Sequence, residues 1–248
     1  MRRSSRMLVE DILSNIAVAG AGLIFGRAQA VALTRWRFRQ LREFWKPMAA
    51  GERVVLIVDA HEKFKDYEPS GMGGIADMQT LLELDRHLRS AGLRSFEFRT
   101  GTTLTSQERR RNLILIGAAD ANRITREVTD SLRSRLPLQF RVPDDEAIID
   151  PESGGTWESE RNQNVVTRDY ALVIFAKSPF AEGSFVLILA GIYGYGTRAA
   201  QEAVTEESLV KELSGLPGEE FVALISCNVV NDSPQKVRVV QRRKLYTE

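Results

Sequence analysis

The sequence predicts a three-layer α/β domain, a mostly parallel sheet between helices, preceded by an apolar amino-terminal helix that reads as a membrane span. Three observations carry this expectation. Short, fully apolar runs recur at "RVVLIVDA", "NLILIG" and "VLILAG", as strands covered on both faces require. Amphipathic stretches separate the first of these in a βαβ rhythm. The segment from Ile12 to Leu33, with Arg27 as its one charge, reaches the roughly 20 residues that a helix needs to cross a bilayer.

Composition sets the outer bounds. A chain of 248 residues supports one α/β domain with an appendage. Lys plus Arg total 34 against 33 acids, a net charge of +1, so no specific nucleic-acid binding is expected. The one cysteine, Cys227, sits in "FVALISCNVV" and reads as a small buried thiol, which excludes a disulfide framework. Two histidines and one cysteine argue against a His/Cys zinc site, and no metal is expected.

Residues 1–46 read as an anchor followed by a basic, aromatic juxtamembrane segment, "RWRFRQLREFWK", of the kind found among anionic headgroups. Arg2, Arg3 and Arg6 precede the apolar run, whereas Arg27, Arg35, Arg37, Arg39, Arg42 and Lys46 close or follow it. The positive-inside tendency then predicts a single-pass protein of the cell membrane with its carboxyl-terminal domain in the cytoplasm. Two other readings stay open: a cleaved signal peptide, and a helix packed on the domain or a partner, with the basic segment a solvated helix with a buried aromatic side.

Residues 47–248 read as the domain. Pro47 and Gly51 precede the strand "RVVLIVDA". A helix follows with Ile75, Met78, Leu81, Leu82, Leu84 and Leu88 at near-helical spacing and Gly92 as its stop. Next come a strand at "SFEFRT", the strand "NLILIG" and an amphipathic helix ending near Pro137. From Pro137 to Arg168 the pattern weakens into a hairpin or loop insertion with two short strand candidates. "YALVIFAKSPF" and "SFVLILAG" give strands joined by a turn around Pro179 to Gly183, "TRAAQEAVTEESLVKELSG" gives a helix, and "EFVALISCNVV" and "KVRVVQRR" give strands around the turn signal "NDSPQ". The architecture expected is Rossmann-like or flavodoxin-like with some antiparallel additions.

In open parallel sheets ligands lie beyond the carboxyl ends of the strands, where loops and helix amino termini gather. Three such ends stand out. The first strand ends at Asp59 and His61, and its loop holds Gly71 and Gly74. "NLILIG" runs into Gly117, Asp120 and Asn122. "VLILAG" runs into Gly191, Gly194 and Gly196, with Tyr193 and Tyr195 between them and Thr197 placed to cap the next helix. Each loop alone is also explained by tight-turn geometry; together they predict a ligand-binding rim, a bed of amides suited to a phosphate or carboxylate. Neither the Gly-Lys-Ser/Thr phosphate loop nor the Gly-x-Gly-x-x-Gly spacing is present, so no cofactor is assigned. Asp59 and His61, joined by Asp77 or Asp120, could form an acid/base group; helix capping and turn hydrogen bonds are the preferred reading, and no catalytic residue is assigned.

The stretches "GIADMQTLLEL", "NLILIGAADANRIT", "DYALVIFAK", "LILAGIYGYGTRAAQEAVTEESLVKEL" and "VALISCNVVNDSPQKVRVV" resemble a poorly characterised bacterial family of α/β domains. Its members sit at the carboxyl end of membrane-associated or winged-helix regulators, after a "FW-P" opening that Phe44, Trp45 and Pro47 match. By this resemblance Gly117, Asn122, Tyr170, Gly191, Tyr195, Gly196, Thr197 and Ala200 fall on recurrent motif positions. Ala118 and Ala119 depart from the pattern, where bulkier or polar residues are common. The resemblance implies a sensory or regulatory role and carries no assigned reaction.

The function expected is a membrane-anchored, cytoplasmic ligand-sensing domain that binds an anionic small molecule, such as a nucleotide, at the glycine-loop edge and changes its association with a protein partner or with its own copies. A nucleotide- or nucleoside-processing enzyme using Asp59, Asp120 and Tyr195 is the first alternative. A non-catalytic interaction or scaffold protein is the second.

Overall fold

The structure, a computed structural model, describes residues 39–49, 53–61, 67–68, 72–90, 96–141, 146–216 and 218–247. One compact unit takes in residues 40–248. It opens on helix α1 (Arg39–Ala49), in which Leu41, Trp45 and Met48 share one stripe and are buried. Trp45 is 1% exposed, and its indole N–H donates to the carbonyl of Val204 at 3.0 Å.

These contacts correct the membrane reading. From Arg39 onward, the segment expected at a headgroup surface keeps its aromatic side against protein. Among the described residues no helix is long and apolar enough to cross a membrane, so the single-pass placement does not stand. The span expected over residues 12–33 lies outside the described residues.

The main sheet has the order β11-β10-β8-β9-β3-β1-β2, with β7 added to β8. Its strands are β1 (Val54–Val58), β2 (Phe96–Arg99), β3 (Leu113–Ile116), β7 (Glu160–Asn162), β8 (Val165–Lys177), β9 (Phe185–Gly191), β10 (Phe221–Val230) and β11 (Ser233–Lys244). β1 runs parallel to β2 and β3, and β3 runs parallel to β9. The pairs β8–β9, β8–β10, β10–β11 and β7–β8 are antiparallel. The expectation of a mostly parallel sheet is thus corrected to a mixed one in which antiparallel pairing predominates. Unbroken apolar runs misled because they report burial of both faces, and antiparallel β8 and β10 are covered on both faces too. Connection length is the better guide, since a parallel pair needs a crossover of a dozen or more residues. The short turn between Lys177 and Phe185 cannot supply one, nor can Asn231 and Asp232, whose φ values of 49° and 56° mark a two-residue hairpin.

The weakly patterned region between Leu136 and Val165 contains a second sheet and the short strand β7 of the main sheet. Strands β4 (Gln139–Phe140), β5 (Ala147–Ile149) and β6 (Thr156–Glu158) pair antiparallel. With helix α3 (Arg123–Leu132) they cover one face of the main sheet, where Ile124, Val128, Ile148, Leu172, Ile174, Ile188 and Leu224 join one core, with Trp157 packed at its margin. Residues of opposite parity, such as Leu56, Ile114, Val173, Leu189 and Ala223, are equally buried and point the other way. There α2 (Ile75–Ser90) lies over β1 and β3, and α4 (Gly194–Thr205), followed by α5 (Glu207–Leu213), crosses β8 to β11. In α2 only part of the expected apolar stripe is used: Leu84 and Leu88 are buried, while Ile75 and Leu82 are 79% and 68% exposed. The edge strand β11 carries Lys236, Arg238, Arg242, Arg243 and Lys244, charges that discourage edge-to-edge pairing.

Because Trp45 fills a closed site against α4, Trp45→Ala is expected to cost about 3–5 kcal/mol. In urea denaturation the midpoint should fall with the slope unchanged.

Candidate functional site

The carboxyl ends of the three parallel strands β1, β3 and β9 open onto one cleft of about 440 Å³. His61 enters it after β1, Gly117 and Asp120 after β3, and Gly191, Tyr193 and Gly194 after β9; Gly74 and Asp77 complete it from the start of α2. Of the residues expected at the rim, the structure therefore brings together Gly74, Gly117, Asp120, Gly191, Tyr193, Gly194 and Thr197.

The glycine turn after β9 owes its composition to packing. A β-carbon on Gly194 would collide with the Ala76 methyl of α2, and one on Gly196 with the carbonyl of Tyr170 in β8. Glycine lets α4 approach α2 and the sheet this closely. Tyr193 holds the cap position of α4 but offers no side-chain cap. Thr197 lies inside the helix, where its hydroxyl accepts from the Gly191 amide at 3.1 Å.

The amides at the start of α4 are met from another strand. Asp169 of β8, fully buried, accepts the Gly196 amide at 2.6 Å and the Tyr193 amide at 3.2 Å on Oδ2. On Oδ1 it accepts the Ser159 hydroxyl at 2.6 Å and the Tyr170 amide at 2.9 Å. The anion that the glycine turn calls for is thus the protein's own carboxylate, placed where the helix dipole favours it. Burial pushes the Asp169 carboxyl up to about 6, opposed by the hydrogen bonds from Ser159, Gly196 and Tyr170 and by the charge of Arg161. Sequence reasoning missed Asp169. Its signal was an acid at the margin of an apolar strand, together with a helix start lacking any Asp, Asn, Ser or Thr cap.

Asp77 is the unusual group of the cleft. It is 6% exposed, and no hydrogen bond reaches its carboxyl among the described residues. Its Oδ2 lies between two turns: a β-carbon on Gly74 would come within 2.9 Å of it, and one on Gly117, whose φ is +99°, within 3.5 Å. Burial pushes the Asp77 carboxyl up to about 6; His61 pulls it down and Asp120 adds to the rise. His61 Nδ1 stands 4.0 Å from Asp120 Oδ2. The described lining contains no Lys or Arg, although Arg161 stacks on the Tyr193 ring at 4.5 Å. Among the described residues no group of three or more His, Cys, Asp or Glu is placed to hold a metal ion.

Comparison with protein-family models and with curated proteins finds no match to this chain. The site is therefore read from its own geometry.

Other candidates are engaged elsewhere. Asn122 is fully buried as the cap of α3: its Oδ1 accepts the amides of Ile124 and Thr125, and its Nδ2 donates to the carbonyls of Ile57 and Ile116. All four of its hydrogen-bonding positions are used within the protein. Asp59 is buried outside the cleft lining, 3.6 Å from the Arg123 guanidinium. Tyr195 donates its hydroxyl to Asp232 at 3.0 Å, at the β10–β11 turn. Gly196 is closed in by Tyr170 and Asp169, and Gly71 lies outside the described residues. Cys227 is a buried thiol whose pKa burial pushes up to about 12, which makes it a poor nucleophile.

Two outcomes follow from these environments. Asp169→Ala leaves buried amides without an acceptor and should cost about 3 kcal/mol or more, against about 1 for Ser159→Ala, in denaturant titrations. For Asp77, the folded state keeps a proton that the unfolded chain releases near 3.8, so the group's contribution to stability declines as pH rises towards 6 and is lost above it. Relative to wild type, Asp77→Asn should therefore gain stability between about pH 4 and about pH 7, by up to about 3 kcal/mol.

Proposed function

We propose that the domain is a ligand-binding module that takes a small donor-bearing molecule, an amine or a hydroxyl-rich compound such as a nucleoside, into the cleft at the ends of β1, β3 and β9. The observation that carries this reading is Asp77. The residue is only 6% exposed and no hydrogen bond from the described residues reaches its carboxyl, so keeping it charged is costly. Here the carboxyl faces an open cleft, where a ligand donor can supply the missing bond.

Charge selects the ligand class. Among the described residues Asp77, Asp120 and Glu146 line the cleft without a Lys or Arg, and the helix-start amides that favoured an anion are held by Asp169. On this reading the cleft favours a donor-bearing ligand over the anion expected from the glycine turn. Tyr193 offers a ring for stacking or apolar contact. A binding event between the starts of α2 and α4 would favour whichever arrangement of these helices holds the ligand better, the differential affinity on which a sensing role depends.

A second reading rests on Asp77 together with His61. A carboxyl titrating near 6 beside a histidine is suited to proton exchange at neutral pH, which would make the module an enzyme on the same ligand class.

The test is a thermal-shift screen of amines, nucleosides and nucleotides. A ligand of the proposed class at about one hundred times its Kd adds about 2.7 kcal/mol, and Asp77→Asn should remove that shift while remaining folded. A shift produced only by phosphate-bearing compounds and unaffected by Asp77→Asn would end this reading. Conversion of the ligand during incubation would select the enzymatic one.

A further inference from the structure

Away from the strand-end cleft, the small sheet leaves one end of the main sheet's face uncovered. There β8, β10 and β11 form a second cavity of about 490 Å³. Register sets its composition. Tyr170 lies opposite Ser226, which lies opposite Arg238, in one row across the three strands; Arg168 opposite Asn228 makes the next row. Directly paired residues, and those two further along, share a face. Trp157 of β6 and Lys236 of β11 complete the lining.

The chemistry here is the reverse of the cleft's. The lining holds Arg168, Lys236 and Arg238 and no acid. Arg168 is balanced by Glu160 at 2.7 Å. Among the described residues Lys236 and Arg238 have no carboxylate within ion-pair distance. Lys236, at a φ of 53°, sits in a β-bulge where the register between β10 and β11 shifts between Ser226 and Asn228. Ser226 and Asn228 add neutral hydrogen-bonding groups between the cations, and Trp157 and Tyr170 add two aromatic surfaces.

We propose that this cavity binds a small anion bearing a planar ring, of the class of a nucleoside monophosphate. Its charged group is held by Arg238 and Lys236, with Ser226 and Asn228 completing the hydrogen bonds, and its ring lies against Trp157. Paired cations on a polar floor recognise phosphate or carboxylate oxygens, and an indole face stacks on any planar base. The volume suits one small molecule. The net charge of +1 argues against an extended nucleic acid, whose binding depends on many phosphate contacts.

The site is independent of the cleft and is tested separately from it. Calorimetry on the full chain with adenosine monophosphate should show saturable binding, weakened about tenfold or more by Arg238→Glu and unchanged by Asp77→Asn. Adenosine and inorganic phosphate should each bind at least about tenfold more weakly than the nucleotide, which combines both contacts. Quenching of tryptophan fluorescence by the nucleotide should disappear in Trp157→Phe, which keeps Trp36 and Trp45. Arg238 and Lys236 are exposed, so their variants should fold. The proposal is overturned if adenosine monophosphate fails to bind, if Arg238→Glu binds it as wild type does, or if Asp77→Asn removes the binding. Equal affinity for inorganic phosphate would refute the aromatic contact. Affinity for single-stranded oligonucleotides that grows with their length would replace the small ligand by a nucleic acid.

Discussion

The buried carboxylate of Asp169 is the constraint from which the functional half of the molecule follows. It accepts from the amides of Gly196, Tyr193 and Tyr170 and from the Ser159 hydroxyl, and so ties β8, the turn after β9, the start of α4 and the segment before β7 to one point. A charge withdrawn from water is tolerated only when its hydrogen bonds are satisfied, and here every partner is a donor. The position of α4 is fixed in consequence. Glycine at 194 and 196 then brings that helix against Ala76 and Tyr170, and the cleft is what remains between the starts of α2 and α4.

The three residues Arg168, Asp169 and Tyr170 serve two surfaces through strand alternation. Asp169 points to the helix-covered face, as does Cys227 opposite it in β10, whose thiol approaches the Tyr195 carbonyl at 3.8 Å. Arg168 and Tyr170 point to the other face and into the basic cavity. A net charge of +1 thus conceals a separation of charge, acidic at the strand-end cleft and basic across β8, β10 and β11. The two proposed ligands differ because each complements the charge of its own surface.

The glycine turn shows how a correct sequence observation supports two different physical conclusions. A helix amino terminus without a side-chain cap does attract an anion. Whether that anion is a ligand or a side chain depends on what lies beside the turn across the sheet. Asp169 is 27 residues before Gly196 and reaches it because β8 and β9 are antiparallel neighbours, a pairing that apolar content alone does not reveal. Asn122 follows the same logic at the start of α3, capping its own helix and bridging Ile57 and Ile116.

Local chemistry was legible along the chain. The apolar runs of β1, β3, β8, β9 and β10, the amphipathic helices and the turn at Asn231–Asp232 all follow from patterns a few residues long, because burial and backbone preference act at that range. The adjacency of the β1 and β3 ends likewise follows from the βαβ rhythm, whereas β9, antiparallel to β8, joins them by pairing with β3. Tertiary structure alone decided the pairing direction of β8 and β10, the packing of Trp45 against Val204, the burial of Asp77 with no hydrogen bond from the described residues and the Asp169 bridge. Each of these depends on which distant segment supplies the neighbour, and a side chain's charge state, hydrogen bonds and exposure belong to that neighbourhood more than to its place in the sequence.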